Sequence, residues 1–213
     1  IFFFCFHIGG EKKIVFFFTR VKKMISRIKQ CVSASKDNFA TILDDMELLK
    51  KIEQITQWNI EAFNKDQKLL LCGNGGSASD AQHIAAELSG RFYIDRKPLF
   101  AEALHVNSSY VTAVANDYGY EEIYARMVVA MGRKGDVLIG ISTSGNSENV
   151  IKALQKAKSL GMKTIGFTGK DGGKMQAICD ATLCVPSADT PRIQEAHILI
   201  GHIMCQLIEE ELF

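Results

Sequence analysis

Leu69-Leu70-Leu71-Cys72-Gly73-Asn74-Gly75-Gly76-Ser77-Ala78-Ser79-Asp80, with His83 and Glu87 following at helical spacing, is the stretch around which the chain reads. A short apolar run that breaks into glycines and resumes as a helix is how a buried parallel strand delivers a ligand to a helix N-terminus. The same alternation recurs downstream. Strands are predicted over 99–104, 136–141, 163–167 and 181–185. Between and after them come helical segments over 109–131 around a turn at Asp117-Tyr118-Gly119, an amphipathic helix over 146–160 closed by Gly161, a short helix over 175–179 and a long terminal helix over 192–212. Alternating strand and helix implies a mostly parallel sheet covered on both faces, with ligands at the carboxyl ends of its strands.

Upstream, Phe39, Ile42, Leu43, Met46, Leu49, Ile52, Ile55 and Ile60 recur at three- and four-residue steps between charged residues. Residues 24–64 therefore read as two helices, one short and one long, that either meet a sister subunit or cover the domain's own sheet. Residues 1–23 hold seven of the thirteen phenylalanines in an aperiodic segment without the layout of a signal peptide. The expectation is a non-native or disordered leader, with the natural start at Met24, N-terminal helices over 24–64 serving oligomerisation, and one α/β domain over 65–213.

A net charge of +1 argues against a broad nucleic-acid footprint and favours a small ligand. Six scattered cysteines with no CxxC pair indicate neither a disulfide scaffold nor a structural zinc finger, and read as reduced core residues of a cytoplasmic protein. No apolar run approaches the length of a membrane span.

Gly73-Asn74-Gly75-Gly76-Ser77-Ala78 fits the loose dinucleotide fingerprint, but the tip of the next strand, His105-Val106-Asn107, lacks the ribose-binding acid. A second loop decides against a nucleotide. The strand over 136–141 runs into Ser142-Thr143-Ser144-Gly145-Asn146-Ser147, where four hydroxyls and a helix N-terminus offer donors for a phosphate dianion. One hydroxyl would suffice for capping. No G-x-x-x-x-G-K-[ST] is present, so a phosphate monoester on a small molecule fits better than a nucleoside triphosphate.

His83, Glu87 and Arg91 follow one another at four-residue steps, drifting only about 40° each around a helix, with Gly90 positioned to end it before Arg91. On the terminal helix, Gln194 and His202 lie about 80° apart and can face one cavity, whereas His197 points elsewhere. Either the histidines are hydrogen-bonded core residues, or two nitrogens, a carboxylate and an amide oxygen converge on a divalent metal of zinc type.

Taken together, Gly73 to Ser77, Asp80-Ala81-Gln82-His83-Ile84-Ala85-Ala86-Glu87-Leu88-Ser89-Gly90-Arg91, Ala115-Asn116-Asp117, the serine loop and Arg192-Ile193-Gln194-Glu195-Ala196-His197 resemble the sugar isomerase (SIS) domain family and, within it, the phosphoheptose isomerases. The resemblance spans residues 24–213. It implies a flavodoxin-like parallel β-sheet flanked by helices on both faces, and a homotetramer with active sites shared between subunits. The activity implied is conversion of sedoheptulose 7-phosphate to D-glycero-D-manno-heptose 7-phosphate, the first step of ADP-heptose synthesis for lipopolysaccharide or related bacterial glycans. By position, phosphate would sit in Ser142, Thr143, Ser144 and Ser147. The sugar would be held by Asn74, Gly75, Gly76, Ser77, Asn116, Asp117 and Gln194, with Arg91 nearby, and zinc by His83, Glu87, Gln194 and His202.

Ketose to aldose conversion needs a proton removed from C1 and one delivered at C2, for which a carboxylate and an imidazole suffice. Glu87 and His202 are the expected pair. The rival readings are a non-catalytic SIS module that binds a replication initiator protein, and an isomerase of another sugar phosphate.

Overall fold

The computed structural model describes the backbone from Glu11 and the side chains from Lys23 to Phe213. Helices α1 (Glu11–Asp44) and α2 (Met46–Phe63) precede β1 (Leu69–Gly73), α3 (Gly76–Ser89), β2 (Ala101–Ala103), α4 (Ser108–Tyr118) and α5 (Ile123–Met131). Then come β3 (Val137–Ile141), α6 (Glu148–Ser159), β4 (Lys163–Thr168), β5 (Ala181–Cys184) and α7 (Thr190–Leu212). The chain divides into two compact units at Asn38, and the sheet lies in the unit Asn38–Phe213.

All strand pairings are parallel, in the order β2-β1-β3-β4-β5. This is the doubly wound, flavodoxin-like order, whose direction of winding reverses between β1 and β3. Alternate residues of a strand point to opposite faces, so each central strand feeds two cores. Leu69, Leu71, Ile139, Ile141, Ile165 and Phe167 pack with α2, α3 and α7, while Leu70, Cys72 and Leu138 pack with α4, α5 and α6. Every residue of β1 and β3 is buried, which explains their unbroken apolar runs. Ile52, Ile55 and Ile60 of α2 lie in the first core, so this helix covers the sheet of its own domain. Its start is set by Asp45, whose Oδ1 accepts the N–H groups of Glu47 and Leu48 at 3.1 and 3.0 Å.

Several expected boundaries move. Helix α1 runs upstream past Met24, because nothing between Glu11 and Asp44 is glycine or proline; the expected leader otherwise falls on residues 1–10, outside those described. β2 shrinks from 99–104 to three residues, since Leu99 donates its N–H to Leu88 of α3 and Phe100 is exposed at this sheet edge. α6 begins at Glu148, as Asn146 and Ser147 are used by the preceding loop. The segment over 175–179 is a 3₁₀ turn at Gly173–Ala177. α7 starts at Thr190, with Pro191 in the first turn, where its missing N–H costs nothing. Cys72 and Cys205 are core residues as expected, but Cys31 is exposed.

One ion pair ties the segment after α3 to α7. Arg96 Nε lies 2.8 Å from Glu209 Oε1, and both side chains are almost wholly buried. Glu209 also accepts the N–H groups of Phe92, Tyr93 and Ile94 at 3.2, 2.6 and 3.1 Å, and Arg96 donates to the carbonyls of Leu88 and Glu87. Burial works to raise the Glu209 pKa, but the bonds from Tyr93, Ile94, Phe92 and Arg96 outweigh it and hold the carboxyl below its ordinary range. Glu209→Gln should cost about 3–5 kcal/mol, as removal of one partner of a buried pair does. A depressed folded pKa means that the stabilisation is present above the ordinary carboxylate range and is lost as pH falls. The gap between wild type and variant in denaturant melts should therefore narrow toward acid pH.

Candidate active site

β1 and β3 lie side by side, and each ends in a loop that feeds a helix N-terminus. After β1, Gly75 takes φ +56° as the N-cap of α3, a conformation that favours glycine. Gly76 is equally constrained, since a Cβ there would lie 2.4 Å from Gln194 Nε2. The amide of Gln194, on the first turns of α7, thus lies directly against the glycine loop. Ser77 is buried beneath it and donates its N–H to the Asn74 carbonyl.

After β3, the serine loop folds its hydroxyls inward. Ser142 Oγ is 2.9 Å from Ser147 Oγ and 3.5 Å from Ser144 Oγ, and Ser144 Oγ accepts the Asn146 N–H at 3.2 Å. Ser147 is the N-cap of α6, yet its hydroxyl caps nothing. Three hydroxyls clustered at a helix N-terminus, with the cap position unspent, make a cradle for an anion. Gly145 closes it at φ +65°, where a Cβ would lie 2.1 Å from the Gly172 carbonyl oxygen. Thr143 is half-buried and its carbonyl accepts the Gly169 N–H.

The two loops are joined by a reciprocal amide pair that the motifs did not reveal. Asn74 Nδ2 donates to Asn149 Oδ1 at 2.9 Å, and Asn149 Nδ2 returns a bond to Asn74 Oδ1 at 2.8 Å. Tyr120 donates its hydroxyl to the same Asn74 oxygen at 3.1 Å, and Tyr124 donates to the Gly73 carbonyl. A cavity of about 250 Å³ opens beside this junction, walled by Asn74, Gly75, His105, Thr112, Tyr120 and Tyr124. Burial lowers the His105 pKa against the opposing pull of Glu102.

Further along α3, His83 Nε2 lies 2.9 Å from Glu87 Oε1 and 3.4 Å from Nε2 of His202. The two imidazoles meet edge to face, with centroids 4.9 Å apart. One ligand atom from each of His83, Glu87 and His202 falls within 4.8 Å of the others. Two imidazole nitrogens and a carboxylate oxygen form a donor set that suits a zinc-type ion. What permits the approach is Gly201, where a Cβ would stand 2.6 Å from Ile84 Cδ1. Asp80, one turn before His83, has a buried oxygen without a hydrogen-bond partner, and burial raises its pKa to about 6 against the opposing pull of His83.

A SIS-domain family profile matches residues 36–169. Phosphoheptose isomerase of Clostridium acetobutylicum is 54% identical over 188 residues, covering 88% of this chain and 94% of the relative. That of Helicobacter pylori is 59% identical over 162 residues, covering 76% and 84%. The structure of phosphoheptose isomerase from Neisseria gonorrhoeae superimposes with a TM-score of 0.83 at 42% identity, over 88% of this chain and 99% of that one.

The chain belongs to the phosphoheptose isomerase family.

As a member of that family it keeps most of the residues read from its motifs at the carboxyl edge of the sheet, but not in one cluster. Ser142, Ser144 and Ser147 meet, as do His83, Glu87 and His202, while Gln194 joins α7 to Gly76. Asn116 and Asp117 are exposed near the end of α4 and hydrogen-bond each other at 2.9 Å. Arg91 lies beyond the end of α3 and is exposed. His197 turns away as expected: it is buried, 3.1 Å from the Thr168 carbonyl, with its pKa lowered by burial to about 4.

Asn149, Tyr120 and Tyr124 were not found from sequence. The available signal was Asn149 itself, a polar residue on the apolar face of α6 beside Val150 and Ile151.

Gly201→Val should push α7 off α3 and separate His202 from His83. Turnover is expected to fall at least tenfold while the circular dichroism spectrum stays native, and Ile84→Ala in the same chain should restore part of the loss.

Proposed function

We propose that this chain is an aldose–ketose isomerase that interconverts sedoheptulose 7-phosphate and D-glycero-D-manno-heptose 7-phosphate through an enediol. The observation that carries the reading is the meeting of His83, Glu87 and His202 on two helices of a domain whose central loop is an anion cradle. High identity to phosphoheptose isomerases over most of the chain supports the substrate.

The serine loop binds the phosphate without a cation, through hydroxyls and backbone N–H groups, and that binding energy orients the reacting carbons. Asn74 and the glycine loop hold the sugar hydroxyls, with Gln194 against them; Asn116, Asp117 and Arg91, exposed in the single chain, complete the pocket where a second copy meets it.

Glu87 and His202 form the acid/base pair. One takes the proton from C1, the C1–C2 enediol forms as the carbonyl oxygen at C2 is protonated, and a proton returns to carbon at C2 while the C1 hydroxyl gives up its own. The 2.9 Å contact from His83 fixes the Glu87 carboxylate for that work. His83, Glu87 and His202, with Gln194 as fourth ligand, would hold zinc, which when bound supplies Lewis-acid polarisation of the carbonyl. The exposed Tyr118 and Val129 provide apolar surface for contact between copies, in keeping with a homotetramer. No helix among the described residues is long and apolar enough to cross a membrane, in keeping with a cytoplasmic enzyme that feeds heptose into ADP-heptose synthesis.

Glu87→Gln should lower turnover of sedoheptulose 7-phosphate by a factor of at least 10³ while leaving its affinity, measured calorimetrically, within a few-fold. Full turnover in this variant would overturn the assignment. Treatment with chelator should remove most of the activity and added zinc should restore it; an enzyme indifferent to both, and free of metal by elemental analysis, would leave the acid/base pair to act alone.

A further inference from the structure

At the amino ends of the strands, on the opposite edge of the sheet from the catalytic loops, lies a cavity of about 410 Å³. That volume falls within the roughly 300–1,000 Å³ of small-molecule sites. The segments that lead into the strands build it: Gln67 precedes β1, Gly135 precedes β3, Lys163 opens β4 and Asp180 precedes β5, with Trp58 of α2 on the remaining side. None of these residues takes part in the isomerase site.

The charges lining the cavity do not balance. Lys158 and Asp180 are paired at 3.4 Å, and Asp180 is further engaged by the N–H and hydroxyl of Thr164. Glu61 accepts a hydrogen bond from Gln57 at 3.4 Å. Lys65 Nζ makes no ion pair or hydrogen bond among the described residues. Lys163 Nζ stands 4.7 Å above the centroid of the Trp58 ring, with no carboxylate partner. Two exposed ammoniums without carboxylate partners thus line a cavity walled by an indole.

Gln67 stands in the wall beside Gly135. Gly135 has φ +92°, and a Cβ there would lie 1.9 Å from Gln67 Nε2, so the primary amide lies directly over the glycine backbone. A primary amide presents one donor edge and one acceptor edge, which suits the edge of a base. An indole face takes a base by stacking, and ammoniums take phosphoryl oxygens.

We propose that this cavity is a second ligand site, for a nucleotide carrying two phosphoryl groups. The base stacks on Trp58 in place of Lys163, and the displaced ammonium turns with Lys65 onto the phosphates. The site is separate from the glycine loop, whose resemblance to a dinucleotide fingerprint the serine loop had already set aside.

Trp58 is the only tryptophan of the chain, so its fluorescence reports occupancy directly. ADP added to the full-length protein should quench that emission saturably. Lys65→Ala with Lys163→Ala should weaken the binding at least tenfold at an unchanged melting temperature, and Lys65→Glu alone should do likewise. Adenosine and pyrophosphate, added separately, should each bind at least tenfold more weakly than ADP. Ser144→Ala, or saturating sedoheptulose 7-phosphate, should leave the ADP titration unaltered. The proposal is overturned by an absence of saturable quenching, by unchanged affinity in the lysine variants, or by pyrophosphate matching ADP. Loss of the signal in Ser144→Ala would likewise overturn it, by placing ADP at the isomerase site.

Discussion

The parallel pairing of β1 with β3 is the constraint on which the remainder of the molecule depends. Because the sheet winds in opposite directions from this seam, the loops that leave the two strands are not covered by a crossover helix, and both open on one crevice. Leu71 pairs with Ile139 and Gly73 with Ile141, so the glycine loop and the serine loop begin at the same level. The Asn74–Asn149 amide pair then locks them together at their mouths. The serine loop offers hydroxyls and a helix N-terminus as donors to an anion, without a cation.

A second constraint is steric. His83 and His202 are far apart in sequence, and their nitrogens meet only because α7 crosses α3 at a glycine, over Ile84. The buried Arg96–Glu209 pair holds the far ends of the same two helices in register through the segment between α3 and β2. Rigid support of this kind is what the proposed acid/base pair would need, because small displacements of an acid or base are costly in rate. The opposite edge of the sheet is built on different terms. Lysines and an indole line its cavity, away from the serine and glycine loops.

The local order of strands and helices was legible from periodicity, since each is governed by neighbours a few residues away. The interior strands β1 and β3 read clearly as apolar runs because both of their faces are buried. The edge strand β2 read too long, because a strand with a single neighbour ends where a competing contact, here Leu99 with Leu88, takes its backbone. The upstream segment read as irregular, although its residues from Glu11 continue α1: phenylalanine clusters conceal helical spacing without breaking the helix.

The site divides along the same line. Residues grouped by a short motif, such as Ser142, Ser144 and Ser147 or the pair His83 and Glu87, were determined by the sequence alone, because a loop or one helical turn suffices to bring them together. The meeting of His202 with His83, the bridge from Asn149 to Asn74 and the lysine–tryptophan cavity were decided only by tertiary structure. Each depends on which helix packs against which strand, and on a close approach that a glycine permits. Spacing along the chain does not encode such contacts, since their cost and their gain are realised only when distant segments share one surface.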